Sequence, residues 1–181
     1  PLIAETGGLN AMLVDSTALP EQAVRDVLAS SFQSAGQRCS ALRCLYVQED
    51  VADTVEEMLF GAMDDLSAGD PWSLATDVGP VIDAEAQAGI AAYVAKARAE
   101  GRVLKELPAP EGCFVGPTVI RVGGTGELPG EIFGPVLHVA RFAAQDLDAV
   151  IDAVNATGYG LTFGLHTRID DRVQRIVERL R

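Results

Sequence analysis

Cysteine, histidine and tryptophan are scarce in these 181 residues, at three, two and one. Three cysteines (Cys39, Cys44 and Cys113) cannot all pair, and a domain of this size needs no staple. A reducing compartment is therefore expected. The two histidines, His138 and His166, stand far from the cysteines and form no zinc-ligand spacing with them. Aromatic residues amount to 6%, too few for a broad stacking surface that would hold single-stranded nucleic acid. Basic side chains are also short, 14 against 26 acidic, for a formal charge of −12. Phosphate-rich partners such as a duplex or an anionic lipid face would be repelled, because affinity there comes from neutralised phosphates. No apolar run approaches the roughly 20 residues that span a bilayer, and no charged-then-apolar leader opens the chain. The first residue is Pro1, so the chain is expected to be a segment of a longer protein.

What remains is ample material for a core, since 48% of the residues are apolar. A chain of this length can bury roughly 70% of its unfolded surface in one domain. Short apolar runs at Leu2–Ala4, Ala11–Val14, Leu42–Val47, Val136–Phe142 and Leu161–Thr167 alternate with segments of helical period. Pro20 suits the first turn of a helix whose Val24, Val27, Leu28, Ser31 and Phe32 share a face, ending near Gly36. Asp50 is placed to cap a second helix, with Val51, Val55, Met58, Leu59 and Met63 on one side, closed by Gly69-Asp70-Pro71. Asp83 to Glu100 reads as a third, stopped by a left-handed Gly101. Gln145–Ala156 and Asp170–Arg181 complete the helices, and Arg102–Leu107 and Phe114–Val122 read as two strands around a turn-rich stretch. Strands alternating with helices predict an α/β domain, a mainly parallel sheet with helices on both faces.

Three segments can carry chemistry. Ser34-Ala35-Gly36-Gln37-Arg38-Cys39-Ser40 sets a cysteine between a helix end and a buried strand, and Arg38 beside it would favour the nucleophilic thiolate. Glu5-Thr6-Gly7-Gly8-Leu9-Asn10 sets a carboxylate next to two glycines that permit close approach, a position from which it could act as a base toward water. Glu131-Ile132-Phe133-Gly134-Pro135-Val136 offers a carboxylate suited to ribose hydroxyls and a ring that can pack on a flat group. Each alone has a plainer reading as a buried cysteine, a strand-to-turn junction or a capped loop. His138 reads as a core residue satisfied by backbone, Cys44 and Cys113 as packing residues at a strand interior and a strand start, and Trp72 as a loop anchor.

In this order and spacing the three segments resemble the aldehyde dehydrogenase superfamily: 34 positions separate Glu5 from Cys39, and 92 separate Cys39 from Glu131. Gly79-Pro80-Val81-Ile82 and Tyr159-Gly160-Leu161-Thr162 are similar to further family stretches. Ile3–Met12, Ser34–Leu42 and Gly164–Asp170 most resemble the glutamate-semialdehyde (pyrroline-5-carboxylate) dehydrogenase part of the bacterial bifunctional proline utilization A proteins.

The resemblance implies NAD-dependent oxidation of L-glutamate γ-semialdehyde to L-glutamate, through a thiohemiacetal and a thioester on Cys39. Glu5 would be the general base for water, and the Cys39 amide one oxyanion donor. Glu131 would hold the nicotinamide ribose, Phe133 would pack near the nicotinamide, and Ser40 would contact the substrate carboxylate. Residues 1–181 would form the cysteine-bearing catalytic domain. A cofactor domain would precede it and a substrate-anchoring region would follow it, so this segment alone would be inactive. FAD is expected only in an attached proline dehydrogenase domain. The resemblance also implies a homo-oligomer with a small aldehyde as partner, no nucleic acid or transmembrane segment in this domain, and a cytoplasmic setting. The parent protein is a candidate for peripheral attachment at the inner membrane. A catalytically silent family-like module and a dehydrogenase for another aldehyde are the alternatives, as is a cysteine hydrolase, which would need an imidazole beside Cys39.

Overall fold

Three runs of consecutive buried residues, in β1 (Ala11–Val14), β2 (Cys44–Gln48) and β5 (Val136–Phe142, broken only by Arg141), lie side by side at the centre of a six-stranded sheet. Successive side chains of a strand point to opposite faces, so unbroken burial means that both faces are covered. The structure, a computed structural model, describes residues 7–181. Its remaining strands are β3 (Val103–Glu106), β4 (Thr118–Arg121) and β6 (Phe163–His166), and the helices are α1 (Pro20–Phe32), α2 (Glu49–Asp64), α3 (Ala84–Ala99), α4 (Leu147–Asn155) and α5 (Asp170–Arg179). The order is β3-β4-β5-β2-β1-β6, parallel throughout except for the antiparallel pair β3 and β4. Ala11 pairs with Cys44 and Cys44 with His138, which puts the starts of β1, β2 and β5 along one edge. The expected α/β sheet is therefore present; the expected strand at Leu2–Ala4 lies outside the described residues.

Leu13, Leu45 and Leu137 are fully buried in these strands. Cutting one back to alanine would cost about 2–5 kcal/mol. Helix α1 starts with Pro20, whose missing N–H would lack a partner there anyway, and buries Val24, Val27, Ser31 and Phe32. Asp83 caps α3, accepting a hydrogen bond from the Ala86 amide at 2.8 Å, and Gly101 takes φ 70° just past its end.

Several expectations are corrected. Asp50 does not cap α2: the helix begins one residue earlier, and the Asp50 carboxylate accepts from Gln48 Nε2 at 2.6 Å. That helix ends at Asp64, well before Gly69, whose amide bonds the Val78 carbonyl at 3.0 Å. Cys113 precedes β4 by several residues, in a loop where its carbonyl accepts from the Val81 amide. Trp72 is 93% exposed and anchors nothing among the described residues. Periodicity also passed over Glu56, buried on α2, whose carboxylate takes both arms of Arg141 on β5 at 2.8 and 2.7 Å.

Candidate active site

After α1 the chain turns through three consecutive left-handed residues, Ser34 (φ 56°), Ala35 (φ 52°) and Gly36 (φ 65°). Two of them carry a Cβ, and each such residue costs on the order of 1–2 kcal/mol. The turn presses Gly36 onto the loop before β5. A Cβ at Gly36 would sit 2.2 Å from the Gly134 carbonyl oxygen. Gln37 then reaches sideways, donating from Nε2 to the Pro80 carbonyl at 3.2 Å and accepting from the Ile82 amide at 2.7 Å. Two stretches 43 residues apart in sequence are thereby joined.

Cys39 emerges from this loop exposed, with Ser40 exposed beside it. Its backbone is fastened from below by Asn10. The buried Asn10 side chain donates from Nδ2 to the carbonyls of Cys39 (2.7 Å) and Ala41 (2.9 Å), and its Oδ1 accepts from the Thr162 amide at 3.2 Å. Gly8 lies against the same loop, where a Cβ would be 3.1 Å from the Cys39 carbonyl oxygen.

Glu131 enters from the other side. Its Oε1 accepts from Arg43 Nη2 at 2.8 Å and Nε at 3.2 Å, and its Oε2 accepts from the Gly8 amide at 3.2 Å. Arg43 is fully buried and also donates to the carbonyls of Gly134 (3.3 Å) and Arg38 (3.1 Å). Burial pulls the guanidinium below its usual pKa, and the Glu131 carboxylate opposes that pull. Phe133 lies against the guanidinium, 5.4 Å from carbon to ring centroid, and is 44% exposed. A carboxylate offers about four lone-pair directions, and three are used here, so Glu131 can still accept a hydroxyl. With the open part of the Phe133 ring, that is a fit for the ribose and ring of a nicotinamide nucleotide.

The structure thus brings Cys39, Ser40, Glu131 and Phe133 to one edge of the sheet. Glu5 lies outside the described residues. Ligands of open α/β sheets usually sit beyond the carboxyl ends of strands, whereas these loops all precede β1, β2 and β5, with Cys39 between a helix end and a buried strand as expected. Arg38, expected to act on Cys39, makes its hydrogen bond elsewhere. Its Nη2 is turned to the Ala29 carbonyl of α1 at 2.9 Å. Neither imidazole belongs to the site. His138 bonds the Arg43 carbonyl (2.8 Å) and the Tyr93 hydroxyl (2.9 Å), and His166 lies 3.5 Å from Asp26. Neither of these two imidazoles therefore offers Cys39 the base a cysteine hydrolase would need. Among the described residues no cluster suits a metal ion, and no helix is long and apolar enough to cross a membrane. Arg43 and Asn10 were missed by sequence reading. Asn10 stands inside a quoted motif, but Arg43 has only its place in an apolar run as a signal.

The sequence profile of the aldehyde dehydrogenase family matches residues 1–181. Bifunctional protein PutA of Klebsiella aerogenes is 52% identical over 185 residues, which cover 97% of this chain and 14% of that protein. A 1-pyrroline-5-carboxylate dehydrogenase of Geobacillus kaustophilus is 37% identical over 171 residues, covering 92% of this chain and 33% of that protein. A crystal structure of a bifunctional proline utilization A protein superposes with a TM-score of 0.97 at 54% identity, covering 99% of this chain and 18% of that one. The chain thus spans about one seventh of the length of the bifunctional relative.

Proposed function

This chain belongs to the aldehyde dehydrogenase family, and from that premise we propose that the protein carrying it oxidises L-glutamate γ-semialdehyde to L-glutamate with NAD. The observation that carries the reading is an exposed Cys39 whose loop is held by Asn10 and Gly36 directly beside the Glu131–Phe133 loop. Similarity to 1-pyrroline-5-carboxylate dehydrogenase and PutA supports the choice of aldehyde.

In this reading the Cys39 thiolate adds to the aldehyde carbon, and the Cys39 amide receives the negative oxygen. NAD held by Glu131 and Phe133 would supply the hydride acceptor for this carbon, which would leave a thioester on Cys39. Glu131 accepts the ribose hydroxyls, and Phe133 sets one wall. Glu5 then draws a proton from water, the hydroxide attacks the thioester, and thiolate and carboxylate separate. Ser40 contacts the substrate's own carboxylate. The exposed thiol speaks for a working enzyme over a silent module, since packing does not require a cysteine there.

Stopped-flow NADH fluorescence on the full-length protein tests the scheme. Cys39→Ala should remove all oxidation, whereas Glu5→Gln should leave the hydride burst and slow the later turnovers at least tenfold. Loss of the burst in Glu5→Gln as complete as in Cys39→Ala would remove Glu5 from its assigned step.

A further inference from the structure

Arg43 touches both halves of the site without being exposed to either ligand. Its guanidinium donates to Glu131 Oε1, to the Gly134 carbonyl and to the Arg38 carbonyl, and its own backbone is pinned by two bonds from His138, through the amide (2.9 Å) and Nδ1 (2.8 Å). The bond to the Arg38 carbonyl matters most. No peptide in the described chain is cis, so the Arg38 C=O and the Cys39 N–H point to opposite sides of one rigid plane. With that carbonyl drawn inward to a fully buried guanidinium, and also accepting from the Ala41 amide at 3.0 Å, the Cys39 N–H must face outward. Outward is where the thiol is exposed. Asn10 fixes the next plane by the same means, through the Cys39 carbonyl.

We infer that Arg43 is a positioning residue that sets two things with one guanidinium: the direction of the Cys39 amide, and the place of the Glu131 carboxylate. The inference rests on the proposed function, since it assigns that amide to the oxyanion and that carboxylate to the cofactor ribose. The flat fork is required. Three acceptors from two loops are met in different directions by one planar group, Nε and Nη2 on Glu131, Nη2 also on the Arg38 carbonyl and Nη1 on the Gly134 carbonyl, and the compact ammonium of a lysine cannot span them.

The test compares Arg43→Lys and Arg43→Gln with wild type in the full-length protein, with rates normalised to active sites counted by burst amplitude. The expected result is a hydride-transfer burst at least tenfold slower, since losing an oxyanion donor outright costs about 10²–10³. The KM for NAD should rise at least fivefold, while the KM for the aldehyde stays within about twofold. Lysine should fail to rescue either value. A fall in melting temperature alone, with burst rate and NAD KM unchanged, would reduce Arg43 to a structural ion pair and overturn the inference. Full rescue by lysine would do the same. If the glutamine variant does not fold, Arg43→Lys carries the test, because it keeps a positive charge opposite Glu131. Adding Arg43→Lys to a Glu131→Gln background should slow the burst further; no further effect would cut the link to the Cys39 amide. Wild type run alongside separates the two ideas, since an inactive wild type refutes the proposed function and equally active variants refute the role of Arg43.

Discussion

Lowering the pH from 7.5 to 4 should cost this chain about 3 kcal/mol of folding stability through a single buried imidazole. His138 is fully buried in β5. Its Nδ1 faces the Arg43 carbonyl and so must be the donor, which leaves Nε2 to accept from the Tyr93 hydroxyl. Protonation would put a second donor against that hydroxyl and a positive charge in the interior. Burial therefore pushes the imidazole down from 6.5 to about 4, with the charges of Arg102 and Arg43 adding to the effect and the bond to the Arg43 carbonyl opposing it. The difference is about 2.5 units, and at ~1.36 kcal/mol per unit this comes to roughly 3 kcal/mol. The sign follows from proton uptake. Between pH 6.5 and 4 the unfolded chain binds the proton and the folded chain does not, so stability is level above 6.5, falls with pH through that window, and flattens below it. Asp15 stays outside the window. Burial alone would raise its pKa, but bonds from Thr167, Thr17 and Arg172 together hold it below 3.8, so its contribution is lost only in stronger acid. Urea unfolding at half-unit pH steps measures the slope, with His138→Asn as the control that keeps a donor for the Arg43 carbonyl and removes the titration. Equal slopes in the two proteins, or a His138 titration near 6.5 by NMR, would refute the reasoning.

Two further outcomes follow from the nucleophile loop. Iodoacetamide should label exposed Cys39 well before Cys44, whose burial raises its thiol to about 12; peptide mapping that finds Cys44 modified first would reverse the assignment. Gly36→Ala should destabilise by about 3 kcal/mol, from a left-handed backbone and a Cβ driven into the Gly134 carbonyl, whereas Ala35→Gly should stabilise by a few tenths to 1 kcal/mol, and thermal melts read both signs.

Much of this was legible beforehand, and the reasons are specific. The strands could be read because AMLV and CLYV are apolar without interruption and VLHVA is broken only by His138, as a sheet covered on both faces demands. The α3 boundaries could be read because Asp83 and Gly101 do local work that depends on no distant partner. The departures arise where a competing partner decides. Asp50 looked like a cap, but Gln48 took its carboxylate. Nothing in the sequence around Arg38 signals that its Nη2 bonds the Ala29 carbonyl. Arg43, inside an apolar run, and Glu56, beside a second glutamate on its helix, were passed over because a buried charge becomes intelligible only once its partner, 88 or 85 residues away, is in place. The loops of the site were recognisable as resemblances, while the hydrogen bonds that hold them together were not.

The placement of every identified site loop ahead of β1, β2 and β5 has a consequence for how the protein can change. In the sheet order β5-β2-β1 the nucleophile loop feeds the middle strand, with the Glu131 loop on one side and Gly7–Asn10 on the other. Strands are spaced at about 4.8 Å, so the sheet acts as a ruler that fixes the width of the site. The opposite ends of the same strands lead into Asp15, Glu49 and Ala143, far from that ruler's working edge. Insertions after Val14 or Phe142 can therefore accumulate, and new partners be acquired there, without altering the distance between thiol and carboxylate. A single residue added between Gly36 and Cys39 has no such freedom.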